Sequence, residues 1–258
     1  MNTVLSKLSE VESGQVGILV YSELKQEVVL ELNKELEIPL ASAAKVAIAF
    51  CITKLVEEEI SNWNDVLENI LFNPKEDSNQ IYPHFQHRTT LSLRNAVEVM
   101  IACHDSYVAN RVVEFTGGWK KINEKLKGYF PNINVTDNPR EKENKGKLSE
   151  IFELLKLIYQ GYKVNPELWE PVINGLVRQN DEVKEIPKHL LNHMTGGLDN
   201  VVVDVGVLGE FSKAPLIFVL GATGLPNRFK HTLSDEKLSE SIKLLYDIYL
   251  KQEKSEKI

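Results

Sequence analysis

Ser42 and Lys45 stand three residues apart at the head of the run Pro39-Leu-Ala-Ser-Ala-Ala-Lys-Val-Ala-Ile-Ala-Phe50. On a helix that spacing puts both side chains on one face. An apolar helix normally avoids lysine. A lysine kept from water can take the serine proton, because desolvation lowers its pKa. The start of a helix also offers free N–H groups and a positive dipole end, which favour an oxyanion. The pair therefore fits a serine nucleophile with an amine base. Ser-x-x-Lys is also common by chance, and taken by itself a capping serine beside a lysine that reaches solvent explains it better. The pair alone does not decide.

Two later segments add to it. The first is Met100-Ile-Ala-Cys-His-Asp-Ser-Tyr-Val-Ala-Asn-Arg-Val-Val-Glu-Phe-Thr-Gly-Gly118, which carries His104, Asp105, Ser106, Ala109 and Asn110. The second is His193-Met194-Thr195-Gly196-Gly197. Between them, Val135-Thr-Asp-Asn-Pro-Arg-Glu-Lys-Glu-Asn144 places Glu141 and Asn144 in a polar loop. His84 and His87 are close in sequence, but no third ligand has metal-site spacing, so no metal is expected.

In their order these segments resemble the penicillin-recognising serine hydrolases, specifically class A β-lactamases, whose signature is Ser-x-x-Lys, Ser-Asp-Asn and Lys-Thr-Gly. The resemblance runs from the strand at Val16 to the final helix. It implies Ser42 as acylated nucleophile and Lys45 as its general base, with the backbone N–H groups of Ser42 and Gly197 as the oxyanion hole. It places Ser106, Thr195, Gly196 and Gly197 against substrate, and Glu141 near the position of the glutamate that activates water for deacylation.

Three departures accompany it. His104 stands where the family has a proton-shuttling serine; histidine can carry protons near neutral pH, or it can simply fill the space. Ser106 replaces an asparagine that holds the substrate amide. Met194 replaces the lysine that attracts a substrate carboxylate, and methionine carries no charge. His193, one residue away on a strand, faces the other side and does not restore the cation.

The expected function is acyl transfer to water from an amide, lactam or ester. Two alternatives stay open: a catalytically silent binding protein on this fold, and an esterase or peptidase for an uncharged substrate. The expected partner is a small molecule (a β-lactam, peptide or ester), with no cofactor, and the chain is expected to be monomeric.

The elements that must position these residues read as follows. A short helix over 3–12 precedes strands at Gln15–Ser22 and 27–33, joined as a hairpin. From Ala41 to about residue 59 the run is apolar on most sides, as in a buried helix. Helical spacing continues to about residue 180, as in Leu91–Ile101 and Leu148–Ile158. Strands return at 190–195, 201–208 and 215–220, before an amphipathic helix with Ser234 as N-cap. This predicts an α/β fold of the α+β kind: a five-stranded antiparallel sheet from both chain ends, flanked by helices, plus an all-helical lobe. The chain reads as a single domain over residues 1–258, with the α/β lobe from 1–40 and 185–258 and the helical lobe 41–184.

With 258 residues, 43% hydrophobic and 26% charged, the chain can bury a large core. A net charge of -7 and no basic patch argue against a nucleic-acid partner. The Lys-rich end from Lys251 reads as a solvated tail. No run approaches the roughly 20 apolar residues that span a bilayer, so no membrane partner is expected. The start lacks a signal-peptide pattern, so the sequence as written reads as cytoplasmic; a leader upstream of it would make it exported. Two cysteines, Cys51 and Cys103, in apolar helical runs read as buried free thiols.

Overall fold

The computed structural model describes residues 1–255; residues 256–258, at the end of the stretch read as a tail, lie outside them. Strands β1 (Gln15–Ser22) and β2 (Glu27–Leu32) form the expected hairpin, and β3 (Glu37–Pro39) leads into the Ser42 segment. Helix α2 (Ala44–Glu57) follows, then the short strand β4 (Val66–Leu67) and helix α3 (Ser78–Ile81). Strand β5 (Leu91–Ser92) precedes helices α4 (Leu93–Ala102), α5 (Ser106–Phe115) and α6 (Gly118–Tyr129). Strand β6 (Lys145–Lys147) precedes α7 (Leu148–Val164) and α8 (Pro166–Val177). The chain closes with β7 (Leu191–Leu198), β8 (Val201–Leu208), β9 (Leu216–Thr223) and α9 (Leu233–Ser255).

The five long strands form one antiparallel sheet in the order β2-β1-β9-β8-β7. Both faces are covered, and the period-2 alternation of strand side chains divides the core accordingly. Leu19, Tyr21, Val203, Val205 and Val219 join the core shared with the helices of the middle segment. Ile18, Val20, Phe218 and Leu220 pack with Val4 of α1 (Asn2–Leu8) and with Leu238, Ile242 and Leu245 of α9.

Helix α2 is central. Eleven of its fourteen residues are buried, which matches a run apolar on all sides. Each fully buried Ile, Leu or Phe there contributes about 1.5–3 kcal/mol. Around the bases of the helices the chain adds two short ribbons not legible in the periodicity, β3 with β6 and β4 with β5. The pairing of β3 with β6 ties the loop over 130–147 to the segment leading into Ser42. Helix α9 begins at Leu233, so Ser234 lies inside its first turn and Thr232 takes the preceding position, accepting the Glu236 N–H. Among the described residues no helix is long and apolar enough to cross a membrane.

Candidate active site

Ser42 lies in a single 3-10 turn, Ala41–Ala43, that runs directly into α2. It is half-buried. The turn is forced by its neighbours. Ala41 sits in the left-handed region at φ 46, a conformation that costs a residue bearing a Cβ about 1–3 kcal/mol. Asn144 holds it there: its backbone oxygen accepts the Leu40 N–H at 2.9 Å and its Nδ2 donates to the Ala41 carbonyl at 3.3 Å. From the other side the edge strand β7 presses on the turn. A Cβ at Gly196 would lie 2.5 Å from the Leu40 oxygen and 3.1 Å from the Ala43 nitrogen, so only glycine permits this approach.

Lys45 does not reach solvent. It is 5% exposed, and its Nζ lies 3.5 Å from Ser42 Oγ. Burial pulls its pKa from 10.5 down to about 8, although the charges of Glu76 and Asp105 push the other way. Glu76 in turn is held above the usual carboxylate range by burial, which outweighs the opposing charges of Lys45 and His104. Asp105 is fully buried and caps α5, accepting the N–H groups of Tyr107 and Val108 at 3.0 Å; its other oxygen takes the Asn73 N–H at 3.0 Å. It braces the wall of the cleft.

His104 also adopts a left-handed backbone, φ 54, between α4 and α5. Its Nε2 lies 2.6 Å from Gln179 Oε1 and 3.5 Å from Asp181 Oδ2. Gln179 is 3% exposed; its Nε2 donates to the Ile101 carbonyl and approaches Met194 Sδ at 3.3 Å. Asp181 accepts a hydrogen bond from Thr195 Oγ1. The His104 hydrogen bond, helped by Thr195, holds the Asp181 carboxyl down at about 2. Met194 is completely buried in this arrangement. His193 points to the opposite face of β7, where its Nδ1 lies 2.8 Å from Asp204. Burial lowers the His193 pKa, but Asp204 and Asp181 more than offset it and leave it raised.

The remaining expected site residues divide. Ser106 opens α5 and accepts from Asn73 Nδ2 at 3.1 Å. Together with Lys45, Asn110, Thr136, Asp137 and Pro139 it lines a hollow of about 20 Å³. Glu141 is exposed and is not part of that lining; the carboxylate that reaches it from the same loop is Asp137. Thr195, Gly196 and Gly197 follow one another along the edge strand, and Arg228 lies over Gly197. The Arg228 guanidinium is fully engaged, with Asp235 at 2.7 and 2.9 Å and with the Leu198 and Val201 carbonyls at 3.0 and 2.9 Å. A larger cavity of about 250 Å³ between β7 and α9 is lined by Asp181, Thr195, Gly196 and Gly197 together with His193, Asp204 and Arg228, but by neither Ser42 nor Lys45.

Gln179, Asp181, Glu76 and Asp137 escaped the sequence reading. All four sit in loops, where neither periodicity nor motif spacing marks them. No group of three or more His, Cys, Asp or Glu side chains suited to a metal ion occurs among the described residues.

A serine on a helix-leading turn, a buried lysine beneath it and an antiparallel sheet edge alongside define the β-lactamase/transpeptidase-like α/β fold. PBP-A, solved as a point mutant in an acyl-enzyme complex with penicillin G, superposes with TM-score 0.80 at 18% identity, covering 97% of this chain and 96% of that one. A β-lactamase from Chitinophaga pinensis superposes with TM-score 0.78 at 16% identity, covering 96% and 98%. A variant of the last common ancestor of Gram-negative bacterial class A β-lactamases gives 0.75 at 16%, covering 97% and 99%. No protein with a curated description matches the sequence. Residues 2–244 match the β-lactamase enzyme family, and the chain belongs to that family.

Proposed function

We propose that this protein is a serine hydrolase that transfers an acyl group from an ester, amide or lactam to water through Ser42. The observation that carries this reading is Lys45: an amine 5% exposed, 3.5 Å from the hydroxyl and with a pKa near 8. At pH 7 about a tenth of such an amine is neutral, against about 1 in 3000 for an ordinary lysine, a gain of roughly 300-fold in free base.

Neutral Lys45 takes the Ser42 proton as Oγ attacks the substrate carbonyl. The backbone N–H groups of Ser42 and Gly197 stabilise the oxyanion. Collapse breaks the bond to the leaving group, which takes a proton from His104, and leaves an acyl ester on Ser42. The hollow beside Lys45, about 20 Å³, is large enough for one water. Asp137 lines it and serves as the base that directs this water at the acyl ester, in place of Glu141. Met194 supplies no cation, and the Arg228 charge is already paired with Asp235, so the favoured substrate is uncharged at this end.

The test is mass spectrometry after incubation with a small activated ester and, separately, with a penicillin. The ester should add its acyl mass to Ser42 at a rate that rises as pH passes about 8, and Ser42→Ala and Lys45→Met should each abolish the adduct. Absence of a Ser42 adduct with either reagent at any pH leaves a family fold without its chemistry.

A further inference from the structure

His104, Gln179 and Asp181 come from two loops about 75 residues apart in sequence, yet they meet at one ring nitrogen. The direction of that hydrogen bond can be worked out. Gln179 uses its amide nitrogen on the Ile101 carbonyl, an acceptor that cannot donate. The atom it turns to His104 is therefore Oε1, also an acceptor. Asp181, held ionised by its surroundings, is an acceptor as well. A nitrogen facing two acceptors must carry the proton. Nε2 is thus the N–H, and in the neutral ring Nδ1 holds the free lone pair. Nδ1 has no hydrogen-bond partner among the described residues, and the side chain is 21% exposed. The charges of the ring and of Lys45 both oppose the rise of the Glu76 pKa, so the two groups lie around one carboxylate.

Resting on the hydrolase reading above, we propose that Gln179, assisted by Asp181, is a positioning residue that fixes the His104 tautomer, making Nδ1 the atom that passes protons to the leaving group. Three features support it. A buried amide, its nitrogen held by the Ile101 carbonyl, turns its oxygen to His104. His104 keeps a left-handed backbone, the kind of strain that persists where surrounding contacts hold it in place. Met194 packs its sulfur on the Gln179 amide, so an apolar side chain at that place keeps charge away from the relay. In the step itself, Nδ1–H of the protonated ring gives its proton to the departing oxygen or nitrogen as the bond to the acyl carbon breaks. The ring ends neutral with Nε2–H still donated to Gln179.

The tautomer is read directly by long-range proton–nitrogen NMR on protein labelled with nitrogen-15 histidine, the His104 signal being assigned by its loss in His104→Asn. In its neutral form the His104 ring should show Nε2 protonated and Nδ1 bare. Gln179→Leu, which cannot accept, should give a mixture of tautomers. The same variant should slow Ser42 acylation by an alkyl ester at least 10-fold while changing that by a p-nitrophenyl ester less than about 3-fold, because a good leaving group needs no proton. A merely structural role would slow both alike. A wild-type ring protonated at Nδ1 overturns the inference even if Gln179→Leu fails to fold, and equal slowing of both esters overturns it too. A correct tautomer in a protein whose Ser42 is never acylated overturns the hydrolase reading, and with it the catalytic half of the inference.

Discussion

Lys45→Met tests the desolvation argument apart from any substrate. Burial holds the Lys45 pKa near 8, whereas in the unfolded chain it returns to 10.5. The folded protein therefore binds fewer protons at this site than the unfolded chain between those two values. Stability from this site is complete above pH 10.5, falls as pH drops towards 8, and below 8 carries a constant penalty. At pH 7 that penalty is about 3 kcal/mol. Methionine fills a similar volume with no charge to desolvate, so Lys45→Met should be more stable than the parent by about 3 kcal/mol at pH 7, raising Tm by roughly 6–12 °C. The gain should shrink through pH 9 and vanish near pH 10.5. Urea unfolding followed by circular dichroism at several pH values measures it. A variant that gains nothing at pH 7, or as much at pH 10.5 as at pH 7, means that the amine is solvated and the base assignment fails. Stability gained as activity is lost is the usual relation at a site that keeps a charge out of water.

Two further outcomes follow from the packing around the Ser42 turn. Gly196→Ala forces a Cβ against the Leu40 oxygen and should cost about 1–3 kcal/mol while slowing Ser42 acylation at least 10-fold; Gly128→Ala in α6, with no heavy atom within 4 Å of its new Cβ, should gain up to about 1 kcal/mol with acylation unchanged. Arg228→Ala strips Asp235 and two backbone carbonyls of their donor and should cost about 2–3 kcal/mol in urea unfolding.

Much of the architecture was legible because its causes are local. The short, nearly continuous apolar runs Gln15–Ser22 and Val201–Leu208 set those strands to the residue. The apolar character on most sides of the run from Ala41 marked α2 as a buried helix, and a lysine in it as anomalous. The boundary errors have local causes as well: Ser234 looks like a cap, but Thr232 accepts the first helical N–H and the helix starts between them. Strands as short as β3 and β6 carry no periodicity and exist only because each finds the other.

The spacing of Ser42 and Lys45 and the identities of His104 and Met194 were determined by sequence alone. Tertiary structure decided what these groups face: that Lys45 is buried, that Asp137 rather than Glu141 lines the hollow beside it, and that Gln179 and Asp181 close on His104. The division follows from range. Hydrophobic period and motif order are properties of neighbouring residues, whereas the pKa of an amine and the tautomer of an imidazole depend on groups that chain folding brings from tens of residues away.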